Sequence, residues 1–178
     1  GLAWDQAINR KYHFPGPVRN EGDKRSPAGI FPLEATFGFS KKSLNNKMPY
    51  IHIMTNTLCI GDRKSKFYNK IITAKTVTNR DWVNDKKLNE QMRQIPVYKY
   101  GIVLGYNTKN VRIGDGCCVF MHIWDKDHQG TAGCTSLSEI NLVKLISWLD
   151  KDKQPILVQL PKLEYKKFQK LWDLPNFI

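Results

Sequence analysis

Residues Cys117 to Trp124 read CCVFMHIW, and Gly114-Asp115-Gly116 turns the backbone into them. A short apolar run bounded by turn residues is the pattern of a strand. Alternation puts Cys118, Phe120, His122 and Trp124 on one face, and Cys117, Val119, Met121 and Ile123 on the other. Both faces are apolar, so the strand needs packing on each side, with His122 the polar exception. A chain holding such a strand must build a sheet covered above and below.

The other segments agree with a sheet. Residues 1–40 are rich in turn formers, Pro15-Gly16-Pro17, Glu21-Gly22-Asp23 and Ser26-Pro27-Ala28-Gly29, and read as loops punctuating short strands rather than helices. Tyr50 to Ile60 and Val97 to Tyr106 read as strands. The polar stretch from Trp82 to Gln94 is expected to hold a helix. After a polar loop from Asp125 to Gly133, Ser136-Leu137-Ser138-Glu139 has the spacing of a capping box. Ile140, Val143, Ile146 and Leu149 follow at helical spacing as its expected buried stripe. Pro155 to Leu160 reads as a strand, and Pro161 opens a last helix with Tyr165, Phe168, Leu171 and Trp172 on its apolar side. With 178 residues, no internal repeat and no linker, one domain over 1–178 is expected. The fold class is mainly β with flanking helices (α+β), on a mixed or antiparallel sheet.

Charge limits the partners without choosing one. The formal net charge of +12 favours an anionic partner such as nucleic acid, an acidic membrane surface or cell-wall polymer. No zinc-finger spacing, Gly-rich phosphate loop or aromatic RNA-binding signature accompanies it. No apolar run approaches the roughly 18 residues a membrane helix needs. Cys59, Cys117, Cys118 and Cys134 form no C-x-x-C pair and make a poor disulfide framework for a domain of this size. One reactive thiol plus at most one disulfide is the economical reading.

Cys134 is the candidate thiol. It lies two residues ahead of Ser136, so the capping box would set its sulfur at the positive end of a helix, which stabilises thiolate. Gly133 would let a substrate carbonyl approach backbone N–H groups, as an oxyanion hole requires. His122 can face this turn across the loop, and a Cys/His pair so presented suits nucleophilic acyl transfer.

The segment Gly114 to Glu139, GDGCCVFMHIWDKDHQGTAGCTSLSE, resembles the active-site signature of YkuD-type L,D-transpeptidases: a strand ending in His, a loop, then Ser/Thr-x-Gly-Cys. EGDKRSPAGIF (Glu21 to Phe31), CIGDRKSKFYN (Cys59 to Asn69) and WLDKDKQPILVQLP (Trp148 to Pro161) resemble one branch of that family, in order along the chain. The resemblance implies a catalytic domain of that type, with its nucleophile at a turn opening a helix and without the strands that usually precede the part Gly1-Leu2-Ala3-Trp4 resembles. Cys134 would be the nucleophile and His122 the base, oriented by a backbone carbonyl rather than a buried acid. Gly133 would lend its backbone to the site, and Thr131 would take the Ser/Thr position. Trp124, Thr135 and Ser136 are candidate substrate contacts. Ala132 stands where many members carry a second His, and Thr135-Ser136 where many carry an Arg for a substrate carboxylate.

The substrates implied are peptidoglycan stem peptides in the periplasm or cell envelope, with no nucleic acid partner, no transmembrane segment and no metal or organic cofactor. The reaction would be transpeptidation or, with water as acceptor, L,D-carboxypeptidase hydrolysis. A non-catalytic binder of anionic wall polymer is the reading of a different class. In the oxidising compartment so implied, Cys59 could pair with Cys117 or Cys118, or Cys118 could line the pocket. Asp62 and Asn69 are expected to fix a loop, and Asp23, Ser26 and Gly29 to begin a substrate-facing strand.

Overall fold

The computed structural model describes residues 1–126 and 129–176. Its elements in chain order are β1 (Leu2–Trp4), α1 (Gln6–Tyr12), β2 (Ser26–Gly38), β3 (Tyr50–His52), β4 (Thr57–Ile60), β5 (Ile71–Thr73), β6 (Asn89–Gln91), β7 (Tyr100–Leu104), β8 (Phe120–Ile123), β9 (Thr135–Leu137), α2 (Glu139–Trp148), β10 (Ile156–Gln159) and α3 (Lys162–Phe168). The class is α+β, mostly sheet.

The larger, mixed sheet runs β1-β2-β7-β8-β9, with β10 and β3 also pairing β2. The length of β2 makes this possible: its first half pairs β1 and β10, its second half β7 and β3. β7 and β8 are antiparallel, whereas β8 and β9 are parallel. A smaller antiparallel sheet, β5-β4-β6, covers one face. The chain therefore covers β8 as its composition requires. Val119 and Met121 pack with Ile102, Leu104, the α2 residues Leu142 and Ile146, and Leu149 at its end, while Phe120 and Cys118 join Phe37, Cys59, Met92 and Tyr98. No helix among the described residues is long and apolar enough to cross a membrane.

Several local expectations are corrected. Residues 1–40 hold a helix after all: Asp5 caps α1 by accepting from the Ala7 and Ile8 amides, and His13 ends it in the left-handed region. They also hold the longest strand, β2, in place of short ones. The segment from Tyr50 to Ile60 is broken into β3 and β4. Trp82 to Gln94 holds β6 and a single 3-10 turn rather than an α-helix. Because Ser136 lies in β9, the helix cap is Ser138, whose hydroxyl accepts from the Asn141 amide. Of the expected stripe, Ile146 and the C-cap residue Leu149 are buried, but Leu142 joins them and Ile140 is 68% exposed. Asn45 closes the far end of α2, donating to the Ile146 and Leu149 carbonyls at 2.7 and 2.6 Å.

The β8 strand begins at Phe120 and not at Cys117 because Cys118 has φ +54°. A left-handed residue interrupts period-two alternation, so Cys117 ends up beside the Cys59 cluster and not with Val119. The kink is fixed twice: Asn69 Oδ1 accepts the Cys118 N–H at 2.8 Å, and Cys118 is disulfide-bonded to Cys59. Of the two pairings left open by the sequence, this is the one formed. It ties β4 of the small sheet to the entrance of β8.

Intact mass should rise by two hydrogens on reduction, and an unchanged mass would disprove the bridge. For the 59-residue separation, loop-closure entropy gives about 4 kcal/mol, so Cys59→Ser should lower the melting temperature markedly.

Candidate active site

Parallel pairing of β8 with β9 sets His122 opposite Ser136 and Met121 opposite Thr135. One step back, Cys134 stands beside Phe120, whose N–H donates to the Cys134 sulfur at 3.4 Å. In a parallel pair, partnered residues share a face. Cys134 and His122 are therefore diagonal neighbours on the face that looks toward the small sheet. Both line one cavity of about 230 Å³, together with Glu90, Tyr98, Trp124, Asp125, Thr131 and Ser136 among others.

The turn that delivers Cys134 is held from three sides. The Thr131 hydroxyl accepts the Gly133 N–H at 3.1 Å and donates to the Cys134 carbonyl at 2.5 Å. Ser26, from the start of β2, donates to the same carbonyl at 2.7 Å. Gly133 has φ +137°, and a Cβ there would stand 2.9 Å from the Arg19 guanidinium and 3.1 Å from the Arg25 carbonyl. Only glycine fits such a place. Arg19 is buried behind the turn, with Asp23 as its ion-pair partner at 2.7 Å and the Asn20 carbonyl as a further acceptor.

The electrostatics are those of a neutral pair at rest. Burial pushes the Cys134 thiol up to about 12, and Glu90 pushes the same way. The Phe120 amide, the Tyr98 hydroxyl and Arg19 oppose them. The thiol in turn donates to the Cys118 carbonyl at 3.5 Å. Burial lowers the His122 imidazole below its ordinary value, partly offset by a hydrogen bond from Nδ1 to the Ile123 carbonyl at 2.7 Å. That bond puts the ring proton on Nδ1 and leaves Nε2 as the basic nitrogen.

Several site expectations change on this geometry. The Cys134 turn opens β9 and not a helix, and α2 begins only at Glu139, so no helix end activates the thiol. Gly133 forms the turn, but its N–H is committed to Thr131 and is no oxyanion donor. Trp124, Thr131 and Ser136 do line the cavity. Thr135 points to the other face, where its hydroxyl donates to Gln159 at 2.7 Å. Ser26 and Gly29 lie at the start of β2, Ser26 donates to the Cys134 carbonyl, and Asp23 before them holds Arg19 behind that turn. Asp62 and Asn69 act as expected: Asp62 accepts from the Lys64 and Val83 amides, and Asn69 bridges to the Tyr106 and Asn107 carbonyls.

Three residues join the site without having been singled out in the sequence. Glu90 lines the cavity from β6, and burial raises its carboxyl to about 7. Tyr98 donates to Glu90 Oε2 at 2.8 Å. Arg19 is the third. Glu90 lies within the polar stretch Trp82 to Gln94, where no residue type or spacing sets it apart from its neighbours.

A carboxyl raised by folding makes the native state bind its proton more tightly than the unfolded chain does. Stability should therefore fall as pH climbs from the ordinary carboxyl range through about 7, and melting curves of Glu90→Gln should lose that part of the slope. Thr131→Val removes both hydroxyl bonds of the turn and should lower stability by about 1–3 kcal/mol in denaturant titration.

Searches of protein-family models, curated proteins and solved structures return no match to this chain.

Proposed function

We propose that this chain is a cysteine acyltransferase of the L,D-transpeptidase type, acting on the stem tetrapeptides of peptidoglycan through Cys134 and His122. The observation that carries the reading is the placement of these two side chains on one face and in one cavity, with the imidazole held by a backbone carbonyl. The ordered resemblance of the sequence segments to that family supplies the substrate class.

Both reacting groups start neutral, so the proton moves as the bond forms. His122 Nε2 accepts the thiol proton while the sulfur attacks the carbonyl between an L-centre and a D-centre. The imidazolium so formed is stabilised by its Nδ1–H bond to Ile123 and then protonates the departing D-amino acid. An acyl thioester on Cys134 remains. An acceptor amine attacks it, passing its proton through His122 to the released sulfur, and a new amide is made. The cavity favours an amine: its described lining carries the carboxyls of Glu90 and Asp125 and no Lys or Arg. This lining offers no obvious partner for a substrate carboxylate, in keeping with Thr135-Ser136 in place of an Arg.

Incubation with muropeptide tetrapeptides, with and without a D-amino acid, followed by mass analysis tests the reading. Exchange of the terminal D-residue is expected, and Cys134→Ala should abolish it, with His122→Ala reducing it by a factor on the order of 10²–10⁴. Loss of that residue without exchange would make the protein a carboxypeptidase. No change in either arm, with salt-sensitive wall binding retained in Cys134→Ala, would make it a binder.

A further inference from the structure

Glu90 and Tyr98 transfer no proton in the mechanism above, yet they line the cavity that holds its sulfur. We propose that Glu90 is a positioning residue for Cys134 that acts through Tyr98, whose single hydroxyl proton is shared between the Glu90 carboxyl and the Cys134 sulfur according to whether Glu90 is ionised. The catalytic use of this coupling rests on Cys134 being the nucleophile, whereas the proton sharing itself is read on the thiol directly.

The geometry leaves little else free to move. Tyr98 is buried, and its ring stands edge-on to Phe37 and Phe120 at 5.6 Å and to His122 at 5.4 Å. Its hydroxyl donates to Glu90 at 2.8 Å, and its side chain shares one cluster and one cavity with Cys134. Glu90 is fixed too, because β6 pairs it with Cys59, and Cys59 is bridged to Cys118 beside the site. With both flanking groups held, the hydroxyl proton is the adjustable part.

A phenol has one proton to donate. When Glu90 is ionised, its carboxylate takes that proton, and its charge also opposes a thiolate across the cavity. When Glu90 is neutral, its own O–H donates to the Tyr98 oxygen, and the phenol proton turns to the sulfur. The second arrangement stabilises the negative charge that develops on Cys134 as His122 withdraws its proton. The other titratable groups facing this cluster are His122 from β8, Asp125 just after it, and Cys117 from the segment before it. Cys117 in turn faces Glu21 and Tyr68. Arg19 acts on the sulfur from behind Gly133. Glu90 is the carboxyl among them that burial brings to titrate near neutrality.

The sign follows directly. Ionising Glu90 raises the proton affinity of Cys134, so the thiolate is favoured below the Glu90 transition and opposed above it. Alkylation of Cys134 by iodoacetamide, followed at the Cys134 peptide by mass spectrometry across pH, reads this without any peptidoglycan substrate. The wild-type log-rate profile should rise less steeply through the region near pH 7 than a lone thiol does. Glu90→Gln, whose amide donates to the Tyr98 oxygen permanently, should remove that inflection and speed alkylation above it by roughly tenfold, one pKa unit. Tyr98→Phe should slow alkylation, and the gain from Glu90→Gln should shrink in the Tyr98→Phe background.

A Glu90→Gln profile superimposable on wild type would overturn the proposal, as would a gain undiminished in Tyr98→Phe. The wild-type profile needs no variant to fold, and a profile without the inflection counts against the proposal on its own. Normal alkylation behaviour with no muropeptide turnover would refute the enzymatic reading and leave this coupling standing.

Discussion

The site depends on the parallel pairing of β8 with β9. Parallel strands cannot be joined by a tight hairpin, so the chain leaves β8 after Ile123, crosses a polar loop and returns in the same direction. The return sets the residue before β9 beside the first residue of β8. Phe120 and Cys134 become neighbours by register, and His122 follows two positions along on the same face. A slip of one residue would turn Cys134 to the α2 side, where Thr135 now lies.

The surrounding structure guards that register from both faces. Val119, Met121 and Ile123 pack under α2, and Phe120 and Cys118 pack under the small sheet. The disulfide then fixes the small sheet to the strand and sets Glu90 of β6 in the cavity, while Tyr98 enters it from the turn before β7. Burial works against reactivity here: it drives the thiol up, the imidazole down and the nearby carboxyl up. Any chemistry must therefore come from proton transfers inside the cavity and not from a pre-formed thiolate.

The strand CCVFMHIW was legible because two apolar faces admit few alternatives, and it delivered His122 and the two-layered cover. The Gly-Cys turn was legible from its residue types and its likeness to a family motif. The helix start was misread because Ser136 and Ser138 both offer a capping hydroxyl, and pairing of β9 with β8, a long-range contact, chose between them. Trp82 to Gln94 was misread for a similar reason. Its polar residues fit a helix surface, but Asn89 donates to the Val83 carbonyl and accepts from the Gly61 and Asp62 amides, which holds the segment extended beside β4. Glu90 and Arg19 could not be recognised, since an ionisable residue turned inward looks like any other until its neighbours are known. Cys118 shows the limit of alternation, as one left-handed residue reverses the facing of everything before it.

Ser26 reaches the Cys134 carbonyl across 108 residues, β10 lies along the first half of β2, and Gln159 holds both Thr135 and the Pro27 carbonyl. These contacts join the early and late parts of the chain around one turn. Long-range pairings of this kind form late in folding, after large loops have closed. Arg19, Ser26 and Thr131 leave the ribosome before the cysteine they hold, and Gln159 of β10, which takes the neighbouring Thr135, leaves after it. The last link of this belt to be made during synthesis is therefore Gln159, which joins the residue after the cysteine to the start of β2.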